Sequence, residues 1–112
     1  MPRCSIANQR IRDLNDAFRR TFCGGRVLVT AGVAALADEA KAIVLRGVRE
    51  FDAFDRDNDP HGEHDFGIIE HAGESYMWKI DYYDLTCEGG SENPADPAVT
   101  NRVLTIMRAD EY

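Results

Sequence analysis

The chain of 112 residues is 44% hydrophobic and 29% charged, and its formal net charge is -7 at pH 7. This composition is typical of one globular domain and excludes a disordered or fibrous chain. The negative charge opposes attraction to the nucleic-acid backbone and to anionic membranes. We therefore expect a single domain over residues 1–112 that contacts neither nucleic acid nor membrane directly.

The cysteines and the N-terminus indicate the compartment. Cys4, Cys23 and Cys87 are widely separated, and no pair has the CxxC spacing. We find no secretory apolar segment, and no apolar run approaches the roughly 20 residues of a membrane span. These features favour reduced thiols in a cytoplasmic protein. We expect no cofactor, because neither a P-loop nor a dinucleotide-binding glycine motif is present.

The first predicted element is an amphipathic helix over residues 5–22. Its apolar residues recur at helical intervals, and Ser5 can cap its first turn. Gly24 and Gly25 are expected to end it, because glycine readily adopts the left-handed conformation that closes many helices.

A short strand and a second helix follow. The segment RVLVT at 26–30 is rich in β-branched residues and predicts a strand. The helix is predicted to run from Asp38 to about Phe54, with acidic residues at its N-terminal dipole. Gly47 lies inside it and indicates a close contact with the sheet, because glycine is unfavourable within a helix.

The second half of the chain predicts a β-hairpin. Its strands cover about 65–71 and 75–83, and the turn lies at 72–74. In the second strand every other side chain is apolar or aromatic, which predicts a core-facing side. The residues on that side are Tyr76, Trp78, Ile80 and Tyr82.

Residues 84–97 predict a long loop, in which Asp96 and Pro97 can start a short helical turn. The segment RVLTIM at 102–107 predicts a last strand, with a helix over 97–107 as the alternative. The predicted order is α-β-α-β-β-β. It favours an α+β domain in which about four antiparallel strands carry both helices on one face.

The segment DRDNDPHGEHDFG at 55–67 is the densest group of chemically active side chains. Asp55, Asp57 and Asp59 match the start of a calcium-binding EF-hand loop. The match then fails, because Pro60 replaces the required glycine and Phe66 replaces the closing glutamate. A looser cation site remains an alternative, with the ligands Asp57, Asp59, Glu63 and Asp65.

Zinc is a second metal hypothesis. His61 and His64 are three residues apart, and His71 and Cys87 are further candidates. Structural zinc motifs usually pair two close ligand clusters, which this chain lacks, so we favour no metal. The residues kept as metal candidates are Asp57, Asp59, His61 and His64.

Acid-base catalysis is the enzymatic alternative, as in a metal-dependent or acid-base hydrolase. It needs a polarised histidine or a desolvated carboxylate beside a second polar group. The candidate catalytic residues are Glu63, His64, Asp65, Lys79 and Asp81. A simpler interpretation is that His64 and Asp65 hydrogen-bond the turn, as aspartates in turns often do, and we favour it.

Four long motifs carry a resemblance to a known family. They are IRDLNDAFRRTFCGGRVLVTAGVAAL, FDAFDRDNDPHGEHDFG, WKIDYYD and DPAVTNRVLTIMRADEY. Together they resemble a family of short alphaproteobacterial proteins described as a domain of unknown function, from about Ile11 to Tyr112. Members occur in chromosomes, plasmids and integrated elements, which implies accessory cargo of bacteria or their phages.

The resemblance implies no catalytic residue, because the family has no established activity. Its gene context implies an interaction protein, including an anti-defence inhibitor that blocks a nucleic-acid-handling complex. A compact acidic domain can occupy a basic groove on a partner protein. The predicted partner-binding residues are Asp52, Asp55, Asp57, Asp59, Glu63 and Asp65. A homodimer through an exposed sheet face or the last strand is a further hypothesis.

Overall fold

The computed structural model describes residues 6–112, without the side chain of Ile6. Its helices are α1 (Ile6–Thr21), α2 (Ala31–Ala34) and α3 (Asp38–Glu50). Its strands are β1 (Arg26–Val29), β2 (Phe66–His71), β3 (Glu74–Tyr83) and β4 (Asn101–Arg108). Short 3-10 turns cover Pro97–Val99 and Ala109–Glu111. The α+β class is confirmed. The predicted cap at Ser5 lies outside the described residues.

The four strands form one sheet in the order β1-β4-β3-β2. Strands β2 and β3 form the predicted hairpin, closed by Ala72 and Gly73 with φ of 52° and 80°. Strand β4 is antiparallel to β3 but parallel to β1. The prediction of a purely antiparallel sheet was therefore wrong. The chain passes through α2, α3 and the hairpin between β1 and β4, and such a long crossover permits a parallel pair.

One face of the sheet carries the core. Phe18 from α1, Val33 from α2 and Val44 and Val48 from α3 are fully or almost fully buried there. They pack against the side chains of β3 and β4 that point to the same side. This arrangement confirms the prediction that both long helices lie on one face. The strand residues in this core are Tyr76, Trp78, Ile80, Leu104 and Ile106.

The ends of the helices differ from the predictions. The residue that directly closes α1 is Phe22, with φ of 58°, and its amide donates to the Phe18 carbonyl. The predicted Gly24 also has a positive φ, of 107°, but lies two residues further on. Helix α3 ends at Glu50, before the predicted Phe54, because Phe51 is extended. The Phe51 and Phe54 rings then pack edge to face, with centroids 4.9 Å apart.

Three local predictions are confirmed. A Cβ atom on Gly47 would lie 3.2 Å from the Ile69 side chain, so this glycine does mark a close approach to the sheet. Asp96 caps the turn at Pro97–Val99 by accepting a hydrogen bond from the Ala98 amide. Residues 101–108 form a strand and not a helix.

Candidate functional site

The acidic segment, residues 51–65, joins α3 to β2 and contains no regular secondary structure. Its first part is a turn made by its own polar side chains. Asp55 Oδ1 accepts hydrogen bonds of 2.9 Å from the amides of Asp57 and Asn58. Asn58 Nδ2 donates in return to the Ala53 carbonyl. These bonds fix the turn from within the segment.

The second part of the acidic segment is fixed through His64. Its Nδ1 lies 2.9 Å from Asp16 Oδ1 on α1, and its Nε2 lies 3.5 Å from Asp59 Oδ2. The His64 amide donates to Asp59 Oδ1 at 3.0 Å. One face of the imidazole stacks on Phe54, with centroids 3.8 Å apart and the planes 2° from parallel. Both ring nitrogens therefore face carboxylates of the protein itself.

Asp16 also binds the buried Arg19, which ties α1 to the end of α3. The Arg19 guanidinium donates to Asp16 Oδ1 at 3.0 Å and to the carbonyls of Val48 and Phe51 at 3.1 and 3.0 Å. Val48 lies in the last turn of α3 and Phe51 directly follows the helix, where carbonyls have few or no backbone donors. Burial lowers the pKa of Arg19, while its hydrogen bond to Asp16 opposes that shift.

A second buried network holds the end of the acidic segment beside the sheet. The Tyr82 hydroxyl donates to Glu63 Oε1 at 2.8 Å. Asn15 Nδ2 donates to the Tyr82 hydroxyl at 2.8 Å and to the Glu63 carbonyl at 3.0 Å. Arg102 Nε donates to Asn15 Oδ1 at 2.9 Å, and its guanidinium also donates to the Pro94 carbonyl. Burial raises the pKa of the Tyr82 hydroxyl, so this group stays a neutral donor.

The six predicted partner-binding carboxylates divide into two groups. Asp52, Asp55 and Asp57 are exposed. The other three turn inward: the side chain of Asp59 is only 6% exposed, Glu63 binds Tyr82, and Asp65 is half-buried. Burial, followed by the charge of Glu63, raises the pKa of Asp65. The first group is the more exposed of the two.

The five predicted catalytic residues do not converge. Glu63 and His64 contact α1 and the helix-covered side of the sheet through Tyr82 and Asp16. Lys79 and Asp81 form an ion pair of 2.9 Å on the opposite face, where they alternate with the buried Trp78 and Ile80. A hydrogen bond to Asp81 raises the pKa of Lys79. The sheet itself therefore separates the two halves of the predicted centre.

The four predicted metal ligands do not lie together either. Asp59 and His64 contact each other, whereas Asp57 and His61 are exposed. The His61 carbonyl accepts a hydrogen bond from Asn8 on α1. Among residues 6–112, no group of three or more His, Cys, Asp or Glu side chains is arranged to hold a metal ion.

Five residues that organise the acidic segment were not predicted as site residues, and of these only Tyr82 was expected to face the core. They are Asn15, Asp16, Arg19, Tyr82 and Arg102. Asn15 and Arg19 lie on the buried side of α1, next to Ile11 and Phe18 in the helical repeat. Polar residues on an apolar stripe need buried hydrogen-bond partners, and this is the signal that could have identified them.

The chain is similar to one family of known proteins. The model of the family "Protein of unknown function (DUF3768)" matches residues 29–111, and the chain belongs to this family. The match covers the acidic segment and β2 to β4, and it begins after α1. No curated protein and no solved structure matches the chain significantly. None of the helices within residues 6–112 is long and apolar enough to cross a bilayer.

Proposed function

We propose that this chain is a non-enzymatic interaction protein that presents the exposed part of the acidic segment to a basic surface on a partner protein. The contact residues are Asp52, Asp55 and Asp57. The observation that carries the proposal is the way in which His64 is held. Its contacts with Asp16, Asp59 and Phe54 fix the segment from behind and leave these three carboxylates at the surface.

A fixed surface favours binding because less conformational entropy is lost when a partner docks. The turn around Asp55 is closed by its bonds to the amides of Asp57 and Asn58, so the carboxylates keep a defined spacing. Arg56 lies between them and is also exposed, which leaves the surface with three carboxylates against one guanidinium. We expect such charges to govern specificity and association rate more than total affinity.

The same contacts favour binding over hydrolysis. A general base needs a nitrogen or a carboxylate within hydrogen-bond reach of the substrate proton. Both nitrogens of His64 face Asp16 and Asp59, and Glu63 accepts from Tyr82. Lys79 and Asp81, on the far side of the sheet, cannot assist them.

The charge and the family resemblance support one class of partner. An acidic surface of fixed geometry can imitate the phosphates that a nucleic-acid-handling protein binds. We propose that the partner is such a protein and that the chain inhibits it as an accessory protein of a mobile element.

Two matched charge reversals test this function. The first is Asp52→Lys with Asp57→Lys; the control is Glu88→Lys with Glu92→Lys, on the exposed loop after β3. Both variants raise the formal charge by four units from -7. The two variants and the wild-type chain are each used as bait in the native host. The captured proteins are then purified, and the affinity of each bait for them is measured by direct titration.

We expect the wild-type chain and the loop control to retain a basic protein that the Asp52 and Asp57 variant loses. Its affinity should fall between about 50 mM and about 300 mM salt, because exposed charges are screened. Capture of the same proteins by all three baits, with equal affinities, would exclude the acidic segment as the binding surface.

A further inference from the structure

The face of the sheet opposite the helices forms a second surface, which we call the open face. It consists of the side chains on the side of Lys79 and Asp81, and no helix within residues 6–112 packs on it. Two large apolar side chains are exposed at its two edges, Leu28 at 46% and Ile68 at 50%. Between them lie the half-buried Met77 and Tyr83. Only Val103 and Met107 are buried on this side of β4.

The charge of the open face differs from that of the whole chain. Its register places two cations, Arg26 and Lys79, on the same side as two carboxylates, Glu70 and Asp81. The face is therefore formally neutral in a chain of net charge -7. Two copies of such a chain repel each other over most of their surface, but not across this face.

We propose that a second copy of the chain docks on the open face to form a two-fold symmetric homodimer. A two-fold interface requires that residue i contacts residue j of the partner and that j contacts i in return. Lys79 and Asp81 meet this requirement, because they have opposite charge and are separated by about 6.6 Å on one strand.

A two-fold axis that passes between the two sheets at Ile80 exchanges the positions of Lys79 and Asp81. Lys79 then lies opposite the partner subunit's Asp81, and the reverse contact forms by symmetry. The same axis brings Met77 opposite the partner subunit's Tyr83, which is a favourable sulfur-aromatic pair. A shallow cavity of about 400 Å³ beside Leu28 and Tyr83 provides room for a side chain of the second copy.

The size of the open face predicts a weak dimer. The 28 strand residues, at about 3.3 Å each along the strand and about 4.8 Å between strands, cover roughly 450 Å² of sheet. A standard protein interface buries about 800 Å² on each partner. We therefore expect dissociation at low protein concentration, with exchange of subunits between dimers.

Sedimentation velocity tests the proposal with two complementary variants. The wild-type chain should change from monomer to dimer as its concentration rises. Lys79→Asp and Asp81→Lys should each weaken the dimer at least about tenfold, because like charges then face each other at two symmetric contacts. An equal mixture of the two variants should form a heterodimer, because each Asp then faces a Lys.

Two further variants keep the test independent of folding. Ile68→Glu leaves the ion pair intact and should also weaken the dimer, since it places a charge in the apolar part of the face. Arg46→Glu lies on the exposed side of α3 and should have no effect. Thermal melts identify any variant that is unfolded.

The proposal fails if the wild-type chain stays monomeric at the highest concentration. It also fails if the folded single variants dimerise as the wild-type chain does, or if the mixture does not form a heterodimer. These outcomes concern the open face only and leave the proposed role of the acidic segment unaffected.

Discussion

The two halves of the acidic segment contain the same number of carboxylates but use them differently. Residues 51–58 hold three aspartates, all exposed, while residues 59–65 hold two aspartates and one glutamate, all turned inward. The inward half bonds to Tyr82 through Glu63 and to Asp16 through His64, whereas the outward half bonds mainly to itself. Burying a carboxylate is unfavourable unless donors meet it, so the neighbours decide which half is buried.

This difference predicts that substitutions around the inward half change stability, while substitutions in the outward half change binding. The first prediction concerns Arg19, which holds Asp16 and the end of α3, and the second concerns Tyr82, which donates to Glu63. The third uses the pH dependence of stability to test the burial of the Asp65 carboxylate. The fourth concerns the outward half.

The largest expected effect is that of Arg19→Met. It removes a fully buried guanidinium together with its hydrogen bonds to Asp16 and to the carbonyls of Val48 and Phe51. We expect the free energy of unfolding to fall by about 3–5 kcal/mol, as when one partner of a buried ion pair is removed. Urea denaturation measures it. Arg20→Met is the control, because the side chain of Arg20 is 62% exposed. Equal losses in the two variants would contradict the role of Arg19.

Tyr82→Phe should have the next largest effect. It removes the hydroxyl that donates to Glu63 and accepts from Asn15, so the partly buried Glu63 carboxylate loses this donor while Asn15 keeps its bond to the Glu63 carbonyl. The expected loss is about 1–3 kcal/mol in the free energy of unfolding. Tyr83→Phe, on the open face, should change it by less than about 0.5 kcal/mol. A loss confined to the Tyr83 variant would show that the Tyr82 network is not formed.

Asp65→Asn should stabilise the domain at pH 7. Burial and the charge of Glu63 raise the pKa of Asp65 above its ordinary value of 3.8, so the folded state disfavours the ionised form. The protonated carboxyl is therefore tolerated at low pH, and stability is lost as pH rises through the folded-state pKa. The amide avoids that loss.

Melting temperatures at several pH values test this sign. The advantage of the Asp65→Asn variant over the wild-type chain should be largest at pH 7 and should disappear below the ordinary pKa of 3.8, where both states bind the proton. A variant that is less stable than the wild-type chain at pH 7 and equal to it in acid would reverse the predicted sign.

The smallest effect on stability is expected in the outward half. Asp52→Asn and Asp57→Asn change exposed side chains and should alter the free energy of unfolding by less than about 0.5 kcal/mol each. Asp55→Asn is the internal comparison, because Asp55 closes the turn through two amides. A loss above about 1 kcal/mol at Asp52 or Asp57 would mean that these carboxylates have a structural partner.

Much of the fold could be predicted from the sequence, because its signals are local. The hairpin follows from alternation around Trp78 and the turn at Gly73, and α1 from its apolar repeat. The parallel direction of β1 could not be predicted, because no residue near Arg26–Val29 specifies which partner strand it joins. That choice is made by packing across the whole sheet.

The candidate site was predictable only in composition. The acidic residues were evident from the sequence, but whether each side chain points inward or into solvent depends on partners far along the chain. Asp16 lies 48 positions from His64, and Asn15 lies 87 positions from Arg102. Asn15 and Arg19 did carry a local signal, as polar residues on the buried stripe of α1, and that signal was overlooked.

The central claim is that groups of the protein itself, and not an ion, order the acidic segment. Amide hydrogen exchange tests it most directly, because the amides of Asp57, Asn58, Gly62 and His64 all donate to protein oxygens. We predict that these amides exchange slowly in a metal-free sample and equally slowly with added calcium or zinc. Exchange at the rate of an unfolded chain, or protection that forms only after a cation is added, would contradict the claim.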